Sequence, residues 1–290
     1  MTGNAADADD IVAEAFTRAM ERPPTRTDLP WRPWLVRVAL NLSKDLLRKR
    51  RRTSYTGPWL PSPIETGGEE PASYEPTLPG GETTAGRYDL LESVSYAFLL
   101  ALEQLRPQQR AVLLLRDVFD YSVRETATAL DISEGNVKTT LHRARRTMSA
   151  YDCERVDTTA ELKQQTRDMM ARFMSALAAR DIKQIEELLS EDVRLTSDGA
   201  GVYLAALRPV IGRDKVTRFY LGLTNNRTAV TWADIRDING VPGMLMELQS
   251  TKPRDPPRAV VSLRLDAHGR IAAIHTVMAP RKLHNLRFSS

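Results

Sequence analysis

A short helix pattern, a three-residue turn and a basic helix pattern follow one another between residues 122 and 148, and this succession restricts the fold more than any other stretch. Ser122 and Glu125 have the spacing of a capping box, in which each side chain bonds the other residue's backbone amide. The first predicted helix ends near Leu130, and Ser133 then occupies the N-cap position of the next helix. The succession predicts a helix-turn-helix, whose second helix enters the major groove of DNA.

The second helix of this motif has an apolar stripe that leaves its polar side chains outward. Val137, Leu141, Ala144 and Met148 form the stripe at helical spacing. The outward residues that we expect to contact DNA are Asn136, Lys138, Thr139, His142, Arg143 and Arg146. Asparagine and arginine can bond base edges in pairs, whereas lysine and arginine also bind phosphate. We therefore expect this helix both to read bases and to contact the backbone.

The charge of the chain is small in total but uneven along the sequence. The net charge is +4, and a basic group at residues 48–52 is matched by a second between Lys138 and Arg146. Residues 58–92, which lie between them, are acidic and rich in proline and glycine. Two basic groups joined by an acidic segment indicate two contacts with a polyanion, although charge runs can also be solvated surface. The first group comprises Arg48, Lys49, Arg50, Arg51 and Arg52.

Composition excludes several classes of protein. No apolar run approaches the roughly 18 residues of a membrane span, and the acidic N-terminus lacks the pattern of a signal peptide. Cys153 is the one cysteine and the 4 histidines are scattered, which excludes a disulfide framework and a clustered metal site. We therefore expect a cytoplasmic protein of two or three modules, with no metal and no cofactor.

Residues 5–56 are predicted to form two helices. Apolar residues recur at helical spacing from Ile11 to Met20, including Phe16, and two prolines then end the pattern. A second helix begins near Trp34. It is expected to bury one stripe, formed by Leu35, Val38, Leu42 and Leu46. Two helices of this size cannot close a large core alone, so this part either packs on another or lacks a piece.

The last part of the chain, residues 156–290, changes from helical to alternating periodicity. Two helices, ending near Leu177 and Leu189, precede segments with period two at 192–196, 229–238, 243–249, 259–265 and 271–278. Asn239-Gly240 is a strong hairpin signal, and His268-Gly269 is a weaker turn signal. Helices followed by an antiparallel run of strands predict an α+β module.

The first 150 residues resemble sigma factors of the extracytoplasmic-function type. Residues 7–16 resemble the acidic helix that holds the polymerase clamp, residues 34–52 the promoter-melting helix of region two, and residues 122–146 region four. The family has a further helix before the acidic one, so the resemblance implies a region two that lacks its first helix. It also implies polymerase contacts by Asp9, Asp10, Glu14 and Phe16, and contacts with melting DNA by Trp31, Asn41 and the basic group at 48–52.

Residues 179–189, 191–195 and 211–216 resemble the SnoaL-like branch of the NTF2-like cone fold, a domain that is fused to sigma factors of the sigma-J type. That type carries a Trp-Leu-Pro-Glu-Pro linker, a glycine-rich Asp-Gly loop and an Asn-Pro-Asp-Lys-Leu tail, and this chain has Ser62 in place of the linker glutamate. The matching residues, for which the resemblance implies a regulatory role, are Trp59, Leu60, Pro61, Pro63, Asp198, Gly199, Gly201, Pro280, Lys282 and Leu283.

These observations predict two small all-α domains followed by an α+β cone. The predicted order is region two (1–56), an acidic linker (57–87), region four (88–152), a SnoaL-like domain (158–278) and a tail (279–290). The predicted function is that of an alternative sigma factor, not an enzyme, that binds the clamp and flap regions of core RNA polymerase and promoter DNA. We expect the cone to regulate it in cis, with Arg281 and Lys282 pairing with the acidic residues 65–75, and its pocket could take a small molecule.

Two other functions remain open from the residues. One is a ligand-sensing helix-turn-helix regulator that does not engage polymerase. The other is a SnoaL-like cyclase or isomerase with a DNA-binding appendage, in which Asp198 and His275 would act as acid and base and Tyr203, Phe219 and Trp232 would line the pocket. Against catalysis, Asp198 is predicted to lie in a turn, where aspartate commonly bonds the backbone, and His275 is more simply a core histidine.

Overall fold

The computed structural model describes residues 1–24, 31–52, 55–66, 88, 95–154, 158–225, 229–249 and 252–289. The chain divides into two compact units. The N-terminal unit joins residues 1–54 to residues 73–156, and the C-terminal unit joins residues 55–72 to residues 157–290. Residues 57–66, which the sequence assigned to an acidic linker, therefore belong to the C-terminal unit.

The N-terminal unit is entirely helical within the part that the structure describes. Its helices are α1 (Ala5–Glu21), α2 (Arg32–Arg52), α3 (Tyr96–Leu102), α4 (Pro107–Leu113), which continues into a π-helical turn at Leu114–Val118, α5 (Val123–Leu130) and α6 (Glu134–Glu154). Ser95 caps α3 by accepting a hydrogen bond from the Phe98 amide at 3.2 Å.

Helix α1 turns a narrow apolar stripe inward. Ile11, Ala15 and Ala19 are buried. The apolar residues that follow them by one position, Val12, Phe16 and Met20, are exposed. These six residues recur at helical spacing, but they cover more of the helix surface than the unit buries, because successive residues are about 100° apart around an α-helix.

Helix α2 packs on the helices of the helix-turn-helix region. Leu40 is 8% exposed and lies in a core formed with side chains of α4, α5 and α6. The predicted stripe, made of Leu35, Val38, Leu42 and Leu46, is only half-buried. The buried positions of α2 are instead Leu40, Ser43 and Leu47, about a third of a turn around the helix. Packing on α4 and α5 selects this face, and a helical pattern cannot show it.

The helix-turn-helix prediction is confirmed. The Ser122 hydroxyl accepts from the Glu125 amide at 3.1 Å, and the Glu125 carboxylate accepts from the Ser122 amide at 2.7 Å. These bonds hold the pKa of Glu125 below its usual value, the Ser122 side chain being the largest cause. Asp131 ends α5 in the left-handed region with φ of 56°, and Ser133 caps α6 through the Asn136 amide. Val137, Leu141, Ala144 and Met148 are buried as predicted.

The C-terminal unit is an α+β module, as predicted. Its elements are α7 (Ala160–Ala179), α8 (Ile182–Leu188), β1 (Leu189–Asp198), β2 (Val210–Ile211), α9 (Arg213–Asn225), β3 (Val230–Ile238), β4 (Val241–Leu248), β5 (Arg258–Leu265), β6 (Ile271–Val277) and α10 (Pro280–Leu283). The sequence indicated each of the longer strands, whereas α9 and the short β2 were missed. Asn239 and Gly240 form the β3–β4 turn with φ of 53° and 84°, which confirms the hairpin signal.

The strands form one sheet in the order β2-β1-β6-β5-β4-β3. Strands β3 to β6 are antiparallel neighbours, but β1 pairs with β6 in parallel. The expectation of a purely antiparallel run was therefore wrong at β1. Helices α7 and α9 cover one face, where Phe173, Val216 and Ile274 lie in the core. Side chains alternate along a strand, so residues such as Asp198 and Ser262 point to the opposite face.

The packing of α2 gives a prediction about stability. Replacing Leu40 with alanine should destabilise the N-terminal unit by about 2 to 5 kcal/mol, because it removes a buried side chain and leaves a cavity. Leu42→Ala is the matched control on the same helix, since Leu42 is only half-buried. The measurement is urea unfolding of the full chain followed by circular dichroism. Equal losses for the two variants would contradict the observed packing face.

Candidate functional site

Helix α6 presents a polar face to solvent. The six side chains predicted to contact DNA are all exposed: Asn136, Lys138, Thr139, His142, Arg143 and Arg146. The Asn136 side-chain oxygen accepts a hydrogen bond from the Thr140 hydroxyl at 2.9 Å, which orients its amide. The face therefore combines an oriented amide with several cations, the side chains that bases and phosphates bind.

Arg145 differs from its basic neighbours on α6. Its guanidinium donates to both carboxylate oxygens of Asp117, at 2.9 and 2.6 Å. Asp117 is 1% exposed, so loss of this pair would leave a buried charge without its cation. Arg145 therefore holds α6 to the π-helical turn, and the sequence could not separate it from the cations that face solvent.

In the predicted DNA-melting region, most of the side chains are exposed and one is hydrogen-bonded within its own unit. The exposed residues are Trp31, Asn41, Arg48, Lys49 and Arg52, while the side chain of Arg51 lies outside the described residues. Arg50 donates to Glu103 at 2.6 Å and to the Thr2 carbonyl at 3.0 Å. Glu103 also accepts from Arg110, which is 2% exposed. Arg50 is thus held within its own unit, and the structure assigns it a packing role that the basic run did not reveal.

Helix α1 carries the side chains predicted to bind polymerase. Asp9, Asp10 and Glu14 are exposed, and Glu14 pairs with Arg18 at 2.7 Å. Phe16 is 56% exposed and lies two turns from Asp9 on the same side of the helix. Phe16 lies outside the buried stripe, which contains Ile11 and Ala15.

A buried carboxylate joins three separate segments of the C-terminal unit. Asp198, at the end of β1, is 0% exposed. One of its oxygens accepts from the Tyr55 hydroxyl at 2.5 Å and from the Ala200 amide at 3.0 Å. The other accepts from the Leu60 amide at 2.9 Å and from Lys282 Nζ at 2.6 Å. We call Tyr55, Leu60, Asp198 and Lys282 the linker lock.

Lys282 is the cation of the linker lock. Its side chain is 3% exposed, and Nζ also donates to the Leu60 carbonyl at 2.5 Å. Nζ lies 4.1 Å from the centre of the Trp59 ring, which adds a cation–π contact. Lys282 was expected to pair with the acidic residues 65–75, of which 67–75 lie outside the described residues. The carboxylate that it bonds in the structure is Asp198. Lys282 thereby fixes the backbone of the linker to the end of the sheet.

Glycines let the loop after β1 approach the linker. A Cβ on Gly199 would lie 2.6 Å from the Tyr203 carbonyl, and one on Gly201 would lie 2.9 Å from Thr56 Cβ. Gly201 also has φ of 73°. Pro61, Ser62 and Pro63 are buried, and Pro280 begins α10, which buries Leu283. The linker, loop and tail residues singled out in the sequence therefore meet in one place, and Tyr55 is the member that sequence reasoning missed.

Comparison with known proteins finds matches to the N-terminal unit and to the chain as a whole. The Sigma-70 region 2 family matches residues 1–53, and the Sigma-70, region 4 family matches residues 95–148. The ECF RNA polymerase sigma factor SigJ of Mycobacterium tuberculosis is 36% identical over 225 residues, which cover 77% of this chain and 67% of SigJ. The crystal structure of M. tuberculosis SigJ has a TM-score of 0.66 and 29% identity, covering 98% of this chain and 91% of that one.

The chain belongs to the extracytoplasmic-function sigma factors of RNA polymerase. Such a factor binds core polymerase and directs it to promoters. The probable ECF sigma factor SigI of M. tuberculosis is 27% identical over 292 residues, or 99% of this chain and 90% of SigI. The N-terminal unit of this sigma factor contains regions two and four, and its C-terminal unit is the SnoaL-like cone. No helix in the described part of the chain is long and apolar enough to cross a membrane.

The alternative catalytic pair of this sigma factor is not arranged for acid–base chemistry. A carboxylate has about four acceptor positions, and all those of Asp198 are filled by the linker lock and the Ala200 amide. Burial, with a smaller contribution from Arg264, lowers the pKa of His275 to about 4. Asp198 therefore serves the linker, and His275 is a neutral imidazole at pH 7.

The cone has a cavity of about 500 Å³ at the end of the sheet near the tail. Tyr203 and Met278 line it, together with Leu283 of α10 and the Glu247–Arg258 ion pair. Of the residues predicted to line a pocket, Phe219 stacks edge-on with Tyr220 and Trp232 packs against Phe288. Of these three residues, Tyr203 lines this cavity. Among the described residues, no cluster of His, Cys, Asp and Glu could hold a metal ion.

The low pKa of His275 predicts a pH dependence of stability. Below pH 6.5 the unfolded chain takes up a proton that the folded cone does not accept until about pH 4. Stability should therefore fall by about 2 kcal/mol between pH 7 and pH 5 because of this one group. His275→Gln should flatten this slope, whereas His268→Gln, in an exposed turn, should leave it unchanged. Urea unfolding at several pH values measures the slope, and an unchanged slope in His275→Gln would refute the assignment.

Proposed function

We propose that this sigma factor recognises the upstream promoter element through α6 and binds the polymerase clamp through α1. Support for the first role is the exposed face of α6, on which the side chains predicted to read DNA reach solvent, whereas Arg145 is paired with the buried Asp117. Support for the second is the exposed group of Asp9, Asp10 and Glu14 with Phe16 beside Asp9. The cations of α2, with Trp31 just before the helix, would hold the separated strand, since cations suit the backbone and aromatic rings suit stacked bases.

We propose further that the cone regulates the sigma factor in cis by holding the linker. The linker lock is the observation that carries this proposal, because it buries an ion pair between the tail and β1 around the backbone of Leu60. A held linker cannot extend between regions two and four when both engage a promoter. A bias of a few kcal/mol between held and released states is sufficient to shift such an equilibrium.

The cone is not proposed to be an enzyme. Its candidate acid–base residue, Asp198, is occupied by structural partners, so we assign it to the linker alone. The cavity beside α10 supports a small-molecule ligand as a second candidate function of the cone, since an occupant would contact Leu283 and Met278 near Lys282. The place of action proposed for the whole protein is the cytoplasm, where polymerase and promoter DNA are found.

The role of α6 is tested with promoter binding. Arg143→Ala should weaken binding of the holoenzyme to its promoter by about 1 to 3 kcal/mol and relax specificity at one base pair. Lys138→Ala should lower the slope of log affinity against log salt by about one, if Lys138 binds phosphate. Arg172→Ala, an exposed arginine of α7 in the cone, is the control. Equal affinity for Arg143→Ala and Arg172→Ala would rule out the assigned recognition surface.

The role of the linker lock is tested with two neighbouring tail residues. Lys282→Met removes the buried cation, which should destabilise the held state by about 3 to 5 kcal/mol because Asp198 is left unpaired. Arg281→Met, at the adjacent exposed position, is the matched control. We expect in vitro transcription with core polymerase to rise in the first variant and to stay unchanged in the second.

Two further variants complete this test. A chain ending after Met278 and a Trp59→Ala variant should change output in the same direction as Lys282→Met, because each removes a contact of the linker lock. Promoter binding by the N-terminal unit serves as the check that regions two and four remain folded. Identical output from the intact protein and all three altered chains would leave the cone with no regulatory role.

A further inference from the structure

The β3–β4 turn contacts the linker a few residues beyond the linker lock. The Ile64 amide donates to the side-chain oxygen of Asn239 at 3.1 Å, and the Asn239 amide donates to the Ile64 carbonyl at 2.7 Å. The Thr66 amide donates to the Asp237 carbonyl at 2.8 Å, and the Gly240 amide donates to the Thr66 hydroxyl at 2.9 Å. The linker is therefore bonded to this turn through its backbone on both sides of Glu65.

Arg236 contacts the linker and the tail at the same time. Its Nη1 donates to the Arg287 carbonyl at 2.7 Å and lies 3.4 Å from the Glu65 carboxylate. Its Nε donates to Asp234 at 2.7 Å, and the guanidinium lies 5.7 Å from the centre of the Trp232 ring. Hydrogen bonding to Asp234, followed by the nearby Glu65, raises the pKa of Arg236 above its usual value. The guanidinium is thus fixed by β3 in a position between two other segments.

The tail continues along the sheet beyond α10. Leu286 and Phe288 are buried, although they lie close to the end of the described chain. The Phe288 ring packs 6.4 Å from the Trp232 ring, and the Arg258 guanidinium lies 4.8 Å from its centre. Residues 284–289 therefore form an ordered extension whose carbonyl at Arg287 is available to Arg236.

We propose that Asn239 and Arg236 are positioning residues of a second linker-holding site, and that Arg236 couples this site to the tail. Asn239 holds the backbone of Ile64, while Arg236 ties Glu65 to Arg287. The linker between Leu60 and Ile64 is then fixed at two ends by different residues. Release of one end leaves the other tethered, and a tethered segment rebinds readily because its local concentration is about millimolar. The regulatory use of this second site rests on the proposed cis regulation.

A simpler reading is that the linker merely covers the edge strand β3, which is at one end of the sheet. Edge covering and a coupled holding site differ in what happens to the tail. Arg236 donates to the Arg287 carbonyl, so its removal loosens the tail under either reading. Under edge covering, removal of Glu65 loosens the linker alone, whereas under coupling the loss reaches the tail as well, through Arg236.

Amide hydrogen exchange of the free full-length protein, resolved by residue, separates these readings. Asn239→Gly removes the acceptor for Ile64 while tolerating the positive φ of 53°. It should speed exchange at Ile64 and Thr66 by about tenfold or more and leave Leu60 within about twofold of the parent. Lys282→Met should do the reverse. Equal acceleration at both ends in either variant would overturn the independence of the two sites.

The coupling role of Arg236 has its own pair of variants. Arg236→Gln should speed exchange at Thr66 and at Leu286, whose amide bonds the Leu283 carbonyl. Glu65→Gln should speed exchange at Thr66 and, through Arg236, at Leu286 as well. Arg264→Gln, an exposed arginine of β5, is the matched control and should change neither. Acceleration of Thr66 without Leu286 in Glu65→Gln, or equal acceleration of Leu286 by the control, would overturn the coupling.

Transcription assays distinguish the holding site from its regulatory use. Asn239→Gly and Lys282→Met should each raise output, and the double variant should raise it further because both ends are free. If the exchange pattern is as expected but output is unchanged in all variants, the holding site stands and the cis regulation on which its use rests is refuted. If output rises in Lys282→Met but Asn239→Gly changes neither exchange nor output, the second site itself is refuted.

Discussion

The buried pair of Asp198 and Lys282 is the contact on which the C-terminal unit depends. Both side chains lie out of water, where an unpaired charge costs several kcal/mol. Neither can be buried without the other, and neither is fully satisfied without the linker, which supplies the Leu60 amide and carbonyl and the Tyr55 hydroxyl. The end of β1, the tail and the linker are therefore buried together, which makes the linker a structural part of the cone.

The N-terminal unit uses buried pairs in the same way and leaves its recognition surface in water. Asp117 is paired with Arg145, and Arg110 with Glu103, so each buried charge has a partner. The cations of α6 that are not needed for such pairs remain exposed. A cation that is paired with a buried carboxylate could bind phosphate only by leaving that carboxylate buried and unpaired, which costs several kcal/mol. The structural pairs and the DNA-binding cations are therefore different residues.

The cone fold does not by itself indicate catalysis, and the partners of Asp198 show why. The acceptor positions of Asp198, the candidate acid or base, are occupied by hydrogen-bond donors with a structural role. His275 is neutral at pH 7. The linker instead bonds Asp198 at the end of β1 and then the β3–β4 turn. The fold alone therefore does not decide what the cone does, and its contacts with a segment of its own chain carry the argument.

The sequence by itself determined the features that depend on neighbouring residues. The capping box at Ser122 and Glu125, the stripe of α6 and the Asn239-Gly240 turn were predicted correctly, because caps, helical spacing and positive φ are local properties. Family motifs indicated Asp198, Lys282 and Trp59, yet the predicted partner of Lys282 was a distant acidic run. Only the tertiary structure decided that Lys282 bonds Asp198, that α2 buries Leu40, that β1 runs parallel to β6 and that Arg50 and Arg145 pair with carboxylates of their own unit. Each of these depends on contacts between residues far apart in the chain, and such contacts leave no periodic or local signal in the sequence.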